Sequence, residues 1–320
     1  MIARATLSMT ILLQGLGPAQ AHVPAGTVLG IWQWPVEALP VMDGDLSEWE
    51  VVPDSLWLDL NTLDADGNPL FWARDWEAQS PAAGRYGTEA DPADLTMRFA
   101  IGWNDETDRL YFAQQRHDDL FDRRDSDEPI SLCVGHDGVD VHVDADHSGL
   151  PNAECYSDFG CDIIYDRGRS AQQALFLFPS ISVTSSYLDW HWMWMSSATW
   201  HDKEPYSCCP DAYTLEGEHG AEGVLIAEWW SVYYNDLDHD SPANSVQAEL
   251  SEGQIIGMGI AFCDDDLGTS EDRWATGGRD GSAWWKESDY LSDWILLPVS
   301  DYWTGIEHTS WGQVKASFTP

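Results

Sequence analysis

"DLTMRFAIGWNDETDRLYFAQQRHDD", residues 94–119, decides the fold class of this chain. Leu95, Met97, Phe99 and Ile101 alternate with Thr96, Arg98, Ala100 and Gly102. Successive side chains of a strand point to opposite faces, so this period of two marks an extended segment with one face buried. The polar "NDETD" of residues 104–108 interrupts the run, and a second alternating stretch follows. Two such runs around a polar turn form a hairpin.

The same pattern recurs outward from this hairpin. "DGVDVHVDADHSG" (137–149) is a strand ending in an acidic turn, and "GQIIGMGIAFCDDD" (253–266) is a strand ending in acids. "SDWILLPV" (292–299) is a further strand. "GVLIAEWWSVYYNDL" (223–237) reads as a strand running into a short helix, and the Asp43–Gly44–Asp45 turn separates two strand-like pieces. Residues 64–94, rich in Asp, Gly, Pro and aromatics without a regular period, read as a long loop. Helical periodicity is scarce, and no internal repeat or Pro/Ser-rich linker divides the chain. Many short strands separated by turns predict an all-β protein, one antiparallel β-sandwich with long loop insertions and little helix.

Residues 1–21 read as a secretory signal: Arg4, then the apolar "LSMTILLQGLG", then the small-residue site "AQA". That apolar run is too short to span a bilayer. The expectation is an exported, extracellular or periplasmic protein, with residues 22–320 as a single domain and no membrane insertion. Lys and Arg total 15 against 55 Asp and Glu, a net charge of −40, so nucleic acid is excluded as a partner and cations are favoured. Six cysteines in an exported chain suggest disulfides. Cys155 and Cys161 bracket a loop short enough to close locally, and the adjacent Cys208 and Cys209 are expected to pair with distant partners.

The sharpest local motif is "DADHSG", residues 144–149. Asp144, Asp146 and Ser148 alternate, and Gly149 permits the turn that folds their oxygens around one cation, as at the start of a calcium loop. Position twelve of that pattern is Cys155, with Glu154 beside it as a contributor. For sugar binding, tryptophan is the residue to follow, since a pyranose packs its C–H face on an indole while its hydroxyls need planar polar partners. Trp72 and Trp76 in "FWARDWEAQ" sit beside Arg74, Asp75 and Glu77, and Trp274 lies near Arg273. Arg116 alternates with Asp118 at the hairpin end and offers paired hydrogen bonds to hydroxyls. "YLDWHWMWMSS" (187–197) leaves three readings open: tryptophans packed between sheets, a sugar platform, or a copper or haem site from His191, Met193 and Met195.

The order of these pieces carries a resemblance. "MDGDLSEWE", "LTMRFAIGWNDETDRLYFAQQRHDD", "DGVDVHVDADHSG", "GVLIAEWWSV", "IIGMGIAFCDDD" and "DWILLPV" resemble the successive strands of carbohydrate-binding module family nine, within the DOMON-like group of β-sandwiches. The likeness covers most of residues 40–299, with insertions near 64–94 and 150–215. It implies a jelly-roll-like secreted sandwich, often calcium-stabilised, that binds an oligo- or polysaccharide. Related DOMON-like domains bind b-type haem and transfer electrons, which is the alternative; a surface or matrix protein that self-associates through aromatic loops is a third. The chain has no G-x-S-x-G elbow, H-E-x-x-H helix or phosphate loop, so the expectation is a non-catalytic protein.

Overall fold

A computed structural model describes residues 24–74, 85–86, 91–122, 137–149, 168–178, 191–193, 198–266, 269–277 and 288–299. The described residues form strands and short 3-10 turns, as the alternating patterns predict. The strands are β1 (Val28–Gln33), β2 (Leu58–Asp59), β3 (Trp72–Arg74), β4 (Arg85–Tyr86), β5 (Leu95–Asn104), β6 (Arg109–Phe121), β7 (Gly138–Asp144), β8 (Gln172–Leu177) and β9 (His191–Met193). They continue with β10 (Ser207–Cys208), β11 (Tyr213–Glu216), β12 (Ala221–Ser231), β13 (Tyr234–Asp236), β14 (Val246–Gln247), β15 (Ile255–Asp266), β16 (Thr269–Ala275) and β17 (Ser292–Leu296).

The predicted hairpin is β5–β6, in register from Leu95 opposite Asp118 to Asn104 opposite Arg109. β12 pairs with the free edge of β6, and β10 and β11 pair with β12, which builds one sheet. In the other sheet β15 is central: β17 and β16 pair along it, β7 pairs with residues 257–262, and β8 and β9 extend beyond β7. β3 and β4 extend beyond β16. We call these the β5–β6 sheet and the β7–β15 sheet. β1 joins them: Val28–Ile31 pairs with β17, and Trp32 and Gln33 pair with β5. Both pairings are parallel, whereas the other strand pairs among the described residues are antiparallel as expected.

The two sheets pack face to face through the alternating apolar residues. Phe99 and Phe112 of one sheet meet Phe262 and Phe176 of the other at centroid distances of 5.4 and 6.4 Å. Trp229 stacks on Phe112 at 5.2 Å and contacts Phe176 at 4.9 Å. Each such ring, fully buried, stabilises the fold by about 1.5–3 kcal/mol. The sandwich read from the period of two is the observed architecture.

A second apolar layer lies on the outer face of the β5–β6 sheet. Trp34, Trp49, Val52 and Leu56 cover Ala100, Tyr111, Ala113 and Trp230. The fit requires Gly102, since a Cβ there would collide with the indole of Trp34. Glu228 anchors this layer: one oxygen accepts from the Asp43 and Gly44 amides at 2.8 and 2.9 Å, the other from the Trp49 indole at 3.0 Å. Burial raises its pKa to about 7.

Several local expectations are corrected. After the Asp43–Asp45 turn the chain forms 3-10 turns at Glu48–Val51 and Asp54–Leu56, which pack Trp49, Val52 and Leu56 on the outer face of the β5–β6 sheet. The long loop of residues 64–94 contains β3 and β4. β12 runs into β13 with no helix between them. The adjacent Cys208 and Cys209 have their sulfurs side by side, Cys208 on β10. No helix among the described residues is long and apolar enough to cross a membrane.

Candidate functional site

The outward face of the β7–β15 sheet carries the most chemically loaded group of side chains. In β7, Val139, Val141 and Val143 point into the sandwich core, which turns Asp140, His142 and Asp144 to the other face. Ala174 and Phe176 are core residues of β8, so Gln173 and Leu175 point outward beside them. β15 adds Gly259, Ala261 and Cys263 to this face, and β16 adds Arg273, opposite Cys263. The small residues of β15 are a low floor over which long side chains from β16 and β7 meet.

They meet at Asp140. Its Oδ2 pairs with the Arg273 guanidinium and also accepts from Gln173 Nε2 at 2.6 Å. Asp140 is 3% exposed and Gln173 4%. Asp140 Oδ1 and Gln173 Oε1 nevertheless accept no hydrogen bond. A buried acceptor without a donor costs about 1–3 kcal/mol, so two of them side by side call for donors that the protein itself does not supply. A carboxylate already paired with a cation, an amide and a guanidinium are planar groups suited to hydroxyls of a polar ligand.

The structure separates the residues expected to act together. Trp72 lies on this outward face, opposite Ala275, with its indole N–H donating to the Gly277 carbonyl at 2.7 Å. Trp274 is corrected to a core residue: it lies on β16, not in a loop, and its alternation with Arg273 turns it inward. Trp76 and Glu154 lie outside the described residues, as do Met195 and the side chains of His191 and Met193. The alternation "VDVHVD" of residues 139–144 was the available signal for Asp140, whereas nothing local marks Gln173 as its partner.

Arg116 and Asp118 are also corrected. They point into the end of the sandwich, where Arg116 is 1% exposed. The guanidinium donates to Asp118 Oδ2 at 2.9 Å, to the Cys263 carbonyl at 2.6 Å and to Asp137 Oδ1 at 2.6 Å, with Asp264 at 3.5 Å. Burial raises Asp137 well above the usual carboxylate range despite Arg116, and raises Asp264 to about 8. The group is an internal ion cluster, not a surface for hydroxyls. Oxygens of Asp118, Asp137 and Asp264 lie within 4.8 Å of one another, a spacing suited to a metal, but a guanidinium already sits among them. A calcium ion does not fit there.

The Asp144–Gly149 turn fits calcium better. Asp144 Oδ2 accepts the Gly149 amide at 2.9 Å, and Ser148 N donates to Asp146 Oδ1 at 3.2 Å, so the chain wraps back on its own carboxylates. His147 and Gly149 both adopt positive φ, and a Cβ on Gly149 would strike Asp289. Burial, then a hydrogen bond with Asp146, raises Asp144 to about 6. Crowded carboxylates of this kind repel one another, and a cation bound between them would relieve that repulsion.

Solved structures similar to this chain include a carbohydrate-binding module of family 9 from Caldicellulosiruptor kristjanssonii in complex with cellotriose, at 11% identity and a TM-score of 0.48, covering 88% of this chain and 98% of that one. The same module in complex with glucose is similar at 12% identity and a TM-score of 0.46, over 85% of this chain and 97% of that one. No protein-family model and no curated protein matches the chain.

Proposed function

We propose that this chain is an exported, non-catalytic carbohydrate-binding protein whose ligand site is the outward face of the β7–β15 sheet. The observation that carries the reading is the pair of buried, unmet acceptors, Asp140 Oδ1 and Gln173 Oε1, beside the Arg273 guanidinium. Sugar hydroxyls supply donors to the two acceptors and an acceptor to the guanidinium, at a spacing set by three strands. Trp72 flanks the group on the same face. Asp140 acts as a hydrogen-bond acceptor; glycoside hydrolysis would need a second carboxylate across the site, one of the two serving as a protonated acid.

Calcium, in this reading, is held by Asp144, Asp146 and Ser148 and supports the end of β7, two residues beyond His142. The ion would neutralise crowded carboxylates and fix the strand that carries Asp140. Titration of chelator-treated protein with calcium should show binding that is lost in Asp144→Ala.

The test of the sugar site is a glycan array of neutral oligosaccharides, followed by calorimetry on any hit. Asp140→Asn and Gln173→Leu should each lower affinity about tenfold or more, the size expected when one good hydrogen-bonding group is removed from a desolvated site. Hits that bind both variants with unchanged affinity would place the site elsewhere.

A further inference from the structure

The opposite outer face of the sandwich carries a concave feature. A cleft of about 390 Å³ opens where the Trp-rich layer ends on the β5–β6 sheet, a size in the range of small-ligand sites. Its floor is one row of residues in register across three strands: Arg98 of β5 faces Gln115 of β6, which faces Ile226 of β12. Its wall is the segment that Glu228 anchors, which presents Trp57 and the carboxylates of Asp45, Glu50 and Asp54.

The wall already grips one cation. The Arg98 guanidinium lies 4.1 Å from the Trp57 ring centroid, and its Nη2 pairs with Asp54 at 2.9 Å. An indole face and a carboxylate arranged in this way attract positive charge. With Arg98 matched to Asp54, Asp45 and Glu50 leave the cleft with an excess of negative charge. Ile226 and the half-buried Trp57 offer apolar surface, and the exposed amide of Gln115 offers both a donor and an acceptor.

We propose that this cleft is a second glycan site, specific for a cationic amino sugar. The C–H face of the pyranose packs on Trp57 and Ile226, Gln115 and Arg98 engage hydroxyls, and Asp45 and Glu50 face the ammonium group. The site does not depend on the one formed by Asp140 and Gln173: the two occupy opposite faces of the sandwich, so one molecule would hold two glycan chains.

Calorimetric titration of the full chain with a short oligomer of β-1,4-linked glucosamine, below the pKa of its amines, tests the proposal. The glucosamine oligomer should bind, and its N-acetylated counterpart should bind about tenfold more weakly or worse. Gln115→Ala and Trp57→Ala should each weaken glucosamine binding about tenfold. Asp140→Asn should leave it unchanged, which keeps this result separate from failure of the site on the other face. Gln115 is exposed, so its variant tests the cleft even where Trp57→Ala disturbs the wall. Oligolysine of matched charge binding as tightly would reduce the effect to the net charge of the chain and overturn the proposal. So would absence of glucosamine binding, or full affinity in Gln115→Ala.

Discussion

Two buried arginines hold aspartates in this molecule, and they do so in opposite ways. Arg116 is surrounded: three carboxylates and a carbonyl oxygen converge on it at the closed end of the sandwich. Arg273 pairs with Asp140, whose other oxygen accepts nothing. Around Arg116 the carboxylates outnumber the cation, and burial raises Asp264 to about 8. Beside Arg273 two neighbouring acceptors, Asp140 Oδ1 and Gln173 Oε1, are unmet, whereas the Arg116 cluster has one, Asp264 Oδ2. Excess carboxylate at Arg116 favours a bound proton, whereas the unmet oxygen of Asp140 calls for a hydrogen-bond donor. Burial alone does not distinguish them, since both are nearly inaccessible to solvent.

The largest effect expected from this contrast is on stability. Arg116→Met would strand three buried carboxylates and should cost about 3–5 kcal/mol in chemical denaturation. A loss below about 1 kcal/mol would mean that the cluster is not the closed structural unit described above.

The pH dependence sharpens the same point at smaller scale. Asp264 has a folded pKa of about 8, raised by burial, and Asp137 is raised in the same direction. An acid whose pKa rises on folding binds its proton more tightly in the native state. The stability contributed by that linkage is full below the ordinary carboxylate pKa of about 4 and is lost as pH rises through about 8. Denaturation midpoints should therefore fall between those limits, by on the order of 1 kcal/mol per pH unit. Asp264→Asn should flatten the slope; an unchanged slope would assign it to other groups.

The smallest stability change is expected at the open cluster. Gln173→Leu removes an unmet buried acceptor together with the Nε2 donor to Asp140 Oδ2, an oxygen that Arg273 still holds, so stability should fall by only about 1–2 kcal/mol. Sugar affinity should fall in the same variant. A large loss of stability with affinity intact would make Gln173 structural and erase the contrast with Arg116.

The hairpin, the strands of residues 137–149 and 253–266, and the all-β class were legible because a buried sheet face imposes a period of two on the local sequence. The same period assigns Asp140 and His142 to one face of β7 and Val141 to the other. Trp274 was misplaced for a related reason: its strand is short and flanked by turn residues, so the alternation of Arg273, Trp274 and Ala275 was too brief to mark an inward side chain. Arg116 and Asp118 look like a surface pair in sequence because nothing local reveals that Asp137 and Asp264 converge on them from other strands.

Neighbours along the chain set the long strands, the faces shared within β5 and β7, the acidic turn at residues 144–149 and the acidic surplus, and these could be read from sequence. Only the tertiary structure decided which sheet each strand joins, that β1 crosses between the sheets, and that Gln173 and Arg273 meet at one oxygen of Asp140. Those residues lie 33 and 133 positions from Asp140 along the chain. Their meeting depends on strand order and register, which are settled by how two whole sheets bury their apolar faces against each other rather than by any local pattern.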